Sequence, residues 1–113
     1  MKNEVLCAAS AYEKKYYFNN KFSKLPDDVK DELQILCVSF TEEVGGVITL
    51  EFSGDGTLRI ETMCDDGDLL YDDIGSGLLI RRMQKEKSGL FESLEMYYRL
   101  KTQLGEEEPG GEG

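Results

Sequence analysis

GSGLLIRRMQKEKSGLFESLEMYYRLKTQ, residues Gly75 to Gln103, is the stretch on which the fold turns. At about 100° per residue, Leu79, Ile80, Met83, Leu90, Phe91, Leu94, Tyr97 and Tyr98 gather within roughly 130° of arc. Arg81, Arg82, Lys85, Glu92, Glu95 and Arg99 fall outside it. The spacing predicts one long amphipathic helix that forms a wall of the core. It cannot bury its stripe alone, so the rest of the chain supplies the facing wall. Within it, Ser88 and Gly89 mark a candidate kink. Lys87 falls about 80° round from Leu79, inside the apolar arc. Either the helix bends there and turns Lys87 outward, or its ammonium meets a carboxylate.

Working back from this helix, Asp65 to Asp73 (DDGDLLYDD) reads as a loop rich in carboxylates. Before it, Val47 to Ser53 (VITLEFS) and Thr57 to Cys64 (TLRIETMC) flank Gly54-Asp55-Gly56, a hairpin signature. Ile48, Leu50 and Phe52 alternate to one face, as do Leu58, Ile60 and Cys64, while Thr49, Glu51, Arg59 and Glu61 point the other way. A sheet with one apolar and one polar face is covered on one side only. Pro26 followed by Asp27 and Asp28 opens another helix, because the ring fixes a helical φ and the acids suit the positive end of the dipole. Val29, Leu33, Leu36, Cys37, Phe40 and Val44 form its stripe, and Gly45-Gly46 ends it. Ile35 and Val38 lie off the stripe, which places this helix between other elements. Glu4 to Ser10 (EVLCAAS) and Lys15 to Asn19 (KYYFN) read as a first hairpin, and Asn19 to Leu25 as a mostly polar connector.

The order β-β-α-β-β-α predicts a two-layer α+β fold, with a four-stranded, mostly antiparallel sheet and two helices on one face. The expected organisation is a single domain over 1–104 followed by a disordered acidic tail over 105–113, whose GEEEPGGEG ending has nothing apolar to bury. The 113 residues suffice for one core. No apolar run reaches the ~18 residues that cross a bilayer, and MKNEVLCAAS lacks the apolar heart of a signal peptide. A cytoplasmic protein is expected, without membrane contact. The net charge of −10 repels nucleic acid, so no direct nucleic-acid partner is expected.

The segments AYEKKYYFN (Ala11 to Asn19), LPDDVKDELQILCV (Leu25 to Val38), EEVGGVITLEF (Glu42 to Phe52), DDIG (Asp72 to Gly75) and LFESLEMYYR (Leu90 to Arg99) run in one order along nearly the whole chain. In them the chain resembles an uncharacterised family of small acidic proteins from anaerobic Gram-positive bacteria, a domain of unknown function. The resemblance implies no activity.

No residue set rises to a catalytic or cofactor motif. The chain has no histidine, so Cys7, Cys37 and Cys64 have no imidazole to activate them and fall short of a zinc set; reduced, buried thiols are expected. Gly75-Ser76-Gly77 lacks the Lys-Ser/Thr pair of a phosphate loop. Asp65, Asp66, Asp68, Asp72 and Asp73 offer oxygen ligands, but the spacing is not that of a calcium loop. Asp72 or Asp73 is expected to cap the long helix instead, while the others solvate a turn. Arg81, Arg82 and Lys85 form a basic cluster on the helix's outer side, against the overall charge. With Asp65, Asp66, Asp68 and Tyr71 of the loop they are the candidate partner-binding residues. The expected function is a non-enzymatic protein-interaction or regulatory module, without cofactor, whose partner is another protein or a second copy of the chain. The alternatives are an acidic mimic of nucleic acid that blocks a nucleic-acid-binding protein and, further off, a metal-dependent enzyme using the Asp65–Asp73 loop.

Overall fold

The computed structural model describes residues 3–103. The acidic tail expected over 105–113 lies outside the described residues. Strands β1 (Glu4–Ser10), β2 (Lys15–Phe18), β3 (Val47–Phe52) and β4 (Leu58–Met63) form one antiparallel sheet in the order β2-β1-β3-β4. Helix α1 (Asp27–Val44) follows the first hairpin, and α2 (Asp73–Glu86) and α3 (Ser88–Gln103) follow the second. The α+β class, the antiparallel sheet and its four strands are as expected from the sequence. The helix count is not, since among the described residues there are three α-helices rather than two.

Register explains which face is apolar. Cys7 stands opposite Leu50, Leu50 opposite Ile60, and Phe52 opposite Leu58, so directly paired residues share a face. Cys7, Ile48, Leu50, Phe52 and Leu58 are all buried. A bulge between Val5 and Cys7 inserts Leu6 into β1, and both Leu6 and Cys7 end fully buried. The freed backbone is not orphaned: Asn19 donates its amide to the Leu6 carbonyl at 3.0 Å and its side-chain Nδ2 to the Val5 carbonyl at 2.7 Å.

Helix α1 lies on this face with Leu33, Leu36, Cys37, Phe40 and Val44 buried, which is the stripe read from the sequence. Its other side meets α2, but this does not cover both off-stripe residues: Ile35 is 66% exposed at the edge of that groove, and Val38 borders the cavity between α1 and the first hairpin. Gly45 (φ 87) and Gly46 (φ 69) turn the chain from α1 into β3. A Cβ on Gly46 would lie 2.6 Å from both the Met63 carbonyl oxygen and the Tyr71 ring, so only glycine fits.

Three expectations need correction. The connector Asn19 to Leu25 is not simply polar: it forms a 3-10 turn over Asn20–Phe22 that buries Phe22 completely. Phe22 packs on Phe52 with ring centroids 5.4 Å apart, and Phe52 stacks on Tyr98 at 4.2 Å. Cys64 does not continue the inward face of β4, because the strand ends at Met63 and leaves Cys64 exposed. Finally, the helix expected over Gly75 to Gln103 is two helices. Lys87 departs from helical geometry (φ −108, ψ 21) between α2 and α3, just before Ser88 and Gly89, both weaker helix formers than alanine. Lys87 satisfies both conditions set for it: the helix breaks, and its ammonium reaches the Glu32 carboxylate at 2.7 Å. The phase of the stripe survives the break, with Met83, Phe91 and Leu94 buried and Leu79, Ile80, Leu90, Tyr97 and Tyr98 packed around the core.

Glu95 is not a free surface residue either. Its Oε2 accepts the Leu58 amide at 2.8 Å and so ties α3 to the start of β4. In the turn before it, the Ser53 hydroxyl donates to the Asp55 carboxylate, as does the Thr57 amide at 3.0 Å, holding the Asp55 pKa at about 2.

Two measurements test this packing. In urea unfolding, Leu94→Ala should cost about 2–5 kcal/mol through the cavity left in the core. Glu95→Ala should cost about 1–2 kcal/mol, because it strips a charged acceptor from a part-buried amide. Lys87→Met should stay under about 1 kcal/mol, since its ion pair is well exposed to water. The reverse ranking would show that the helices are phased differently. In NMR titration, the Asp55 carboxyl should protonate near pH 2 rather than near its ordinary 3.8. A depressed pKa of this kind contributes stability that is complete above the ordinary value and is lost as pH falls through 2.

Candidate protein-binding face

The loop between β4 and α2 is held in place by its own backbone and by the tip of the first hairpin. Asp68 donates its amide to the Asp65 carbonyl at 3.1 Å, and its Oδ1 accepts the Leu70 amide at 3.0 Å. Tyr12, just beyond β1, donates its hydroxyl to Asp68 Oδ2 and accepts the Asp65 amide at 2.9 Å. The Tyr12 hydrogen bond holds the Asp68 carboxyl below the usual range and, reciprocally, raises the Tyr12 phenol. Further on, Asp72 donates its amide to Val44 at the end of α1. Its carboxylate accepts the Gly75 amide at 2.8 Å, which makes it the N-cap of α2, as the sequence led us to expect of this pair of acids. Tyr71 lies against Gly45 and Gly46 and donates its hydroxyl to the buried Ser76 at 2.9 Å.

This anchoring sends the remaining loop side chains outward. Leu69 is 95% exposed and Leu70 93%, and on α2 Ile74 is 78% and Leu78 59% exposed. Along α2, Ile74, Leu78, Arg81 and Lys85 fall within about 60° of arc, opposite the buried Met83. Arg81 and Lys85 are exposed. In the loop before α2, Asp73, Asp68, Asp65 and Asp66 lie close enough to Cys64 to raise its thiol pKa together, behind local desolvation as the first cause. Ile74 and Leu78 therefore share one exposed side of α2 with Arg81 and Lys85, and Leu69, Leu70 and the acids lie in the loop that leads into its N-terminus.

Of the residues singled out from sequence, Arg81 and Lys85 share the exposed side of α2 with Ile74 and Leu78, and Asp65 and Asp66 are exposed charges of the loop before it. Arg82 is turned toward the groove between α1 and α2, alongside Glu32, Glu43 and Glu86. Asp68 and Tyr71 are committed to contacts within the molecule. Ile74 and Leu78 were not singled out. Their signal was present as two apolar residues spaced i,i+4 on the charged side of the stripe.

Elsewhere, Cys7 and Cys37 are buried with their sulfurs 3.8 Å apart. The Cys37 thiol is pushed up by its contact with Cys7 and then by burial, so it stays protonated at neutral pH. Burial, with Cys7 nearby, also raises the Tyr16 phenol. A cavity of about 510 Å³ opens between the first hairpin and α1, bordered by Lys14, Lys15, Tyr16, Thr41 and Glu42. Among the described residues no group of three or more acids or cysteines is arranged to hold a metal ion. None of the described helices is long and apolar enough to cross a membrane.

Residues 3–107 match a family of unknown function, DUF6145. No curated protein and no solved structure matches the chain.

The placement of the thiols has a direct test. Native protein treated with an alkylating reagent should modify Cys64 alone, with Cys7 and Cys37 reacting only after unfolding. Because the Cys64 pKa is raised, its thiolate fraction at a given pH is smaller and its labelling slower than that of a free cysteine peptide. Replacing Asp66 and Asp73 by asparagine should speed it. Labelling of all three thiols at equal rates would contradict the packing described.

Proposed function

We propose that this chain, which belongs to the DUF6145 family of unknown function, is a non-enzymatic docking module that binds a protein through the outer face of α2. The observation that carries this is the row Leu69, Leu70, Ile74 and Leu78, exposed together on ordered backbone. Apolar side chains gathered on a surface and rimmed by charge mark interaction sites, whereas isolated ones are ordinary. Arg81 and Lys85 at one end, with Asp65 and Asp66 at the other, supply the polar rim that orients a partner. The proposal places the protein in the cytoplasm as a single domain over 1–104, with Cys7 and Cys37 as reduced thiols and no cofactor. A nucleic-acid mimic would space carboxylates like phosphates along a rod. Here the loop acids are interspersed in the chain with Leu69 and Leu70, and α2 adds a basic pair, a combination suited to a mixed protein surface.

The test is affinity capture from the source cell with wild type and with Leu78→Asp. That substitution keeps α2's inward stripe intact, so the variant should fold with an unchanged circular dichroism spectrum. A protein bound in stoichiometric amount by wild type, and depleted at least about tenfold with Leu78→Asp, is the expected result. Equal recovery by the two would overturn the assignment of this face.

A further inference from the structure

The docking face is complementary in charge to itself when turned through a two-fold axis. We propose, resting on the reading of α2's outer face as the docking surface, that the partner seated on it is a second copy of the chain. In this dimer the two α2 helices pack antiparallel about an axis between Ile74 and Leu78.

The argument is geometric. An isologous contact brings the same patch from each copy together, so a face must carry both halves of every interaction it makes. This one does. The midpoint between Ile74 and Leu78 lies about 7.5 Å along the helix from Arg81 and about 13.5 Å from Lys85, at roughly 1.5 Å per residue. Turned through the two-fold axis, Arg81 of one copy lies level with residue 71 of the other, about 3 Å short of the exposed Asp73 that begins its α2 and within the reach of an arginine side chain. Lys85 reaches beyond that helix's start, to the side of the loop carrying Asp65 and Asp66. Ile74 and Leu78 meet their counterparts at the centre, and Leu69 and Leu70 extend the apolar contact on each side. Gly77 borders the row, and a Cβ built on it touches nothing, so no side chain keeps the helices apart there. Any other pairing works less well: in a parallel arrangement, Arg81 and Lys85 would face Arg81 and Lys85, and the acidic ends would likewise coincide. The net charge of −10 opposes association in general, so a contact between copies needs a local basic group against each acidic one. Arg81 and Lys85 supply it.

The contact pairs predict a charge-exchange experiment. One variant carries Arg81→Glu with Lys85→Glu, and the other Asp66→Lys with Asp73→Lys. Neither pair contributes to the core, and circular dichroism with thermal unfolding confirms that each variant folds. In sedimentation velocity across a concentration series, wild type should dimerise. Each variant alone should dissociate, with the dimer Kd raised at least about tenfold. Mixed in equal amounts, they should form a heterodimer, because each copy then meets a charge opposite to its own at both contacts. The wild-type dimer should weaken as salt rises. A wild type monomeric at every concentration overturns the proposal, as does a dimer that both variants keep or a mixture that stays monomeric. Failure of the dimer leaves the docking face itself to the capture experiment, whose readout is a different protein. If Leu78→Asp changes neither capture nor sedimentation, both readings fall together.

Discussion

One apolar sheet face has to be covered, and the rest of the molecule follows from how that is done. Ile48, Leu50, Phe52 and Leu58 all project to one side of strands whose opposite side carries Thr49, Glu51, Arg59 and Glu61. At about 25 cal/mol per Å² of apolar surface removed from water, leaving that face wet would cost more than the margin by which a domain of this size is stable. Helix α1 covers β1 and β3, and α3 covers the β4 side, where Tyr98 stacks on Phe52. With the sheet filled, α2 packs on the flanks of α1 and α3. It spends Leu79, Ile80 and Met83 there and keeps a second face in water. The candidate site is thus a consequence of layering.

How much of this could be read from sequence depends on how local each signal is. The first helix and the second hairpin were legible because each carries a full period of its own: along the 18 residues between Pro26 and Gly45, Leu33, Leu36, Cys37 and Phe40 already define the stripe. The break at Lys87 was marked by Ser88 and Gly89 but hidden by the stripe, since Met83, Phe91 and Leu94 keep one phase across it. The break shows only in tertiary terms, through the Lys87 ammonium and a Glu32 carboxylate that is 55 residues away in the chain. Phe22 was missed for the opposite reason. A three-residue 3-10 turn has no period, and Asn20-Lys21-Phe22 looks polar until Phe52 and Tyr98 are seen around it. Cys64 continued an alternation that the sheet had already ended, because nothing in the strand sequence marks where pairing with β3 stops.

The site was half legible. Sorting α2 into one apolar arc and a charged remainder found Arg81, Lys85 and the loop acids but assigned Ile74 and Leu78 to neither. Their exposure becomes apparent only once Met83 fixes which side is inward. Tyr71 also needed the structure: its tyrosine chemistry suits a binding surface, yet its ring fills the space left by Gly46 and its hydroxyl is bonded to Ser76.

That internal use of Tyr71 matters for binding. A loop of Leu69 and Leu70 held only by its ends would lose conformational freedom on meeting a partner, at a cost of roughly 1–2 kcal/mol per backbone residue fixed. Here most of that freedom is already gone. Tyr12 clamps Asp65 and Asp68, the Asp72 amide is bonded to the end of α1, and its carboxylate caps α2. Two exposed leucines are therefore presented from a loop fixed at both of its shoulders, next to a helix fixed by its buried side. Apolar side chains held in that way give a partner nearly the whole benefit of their burial.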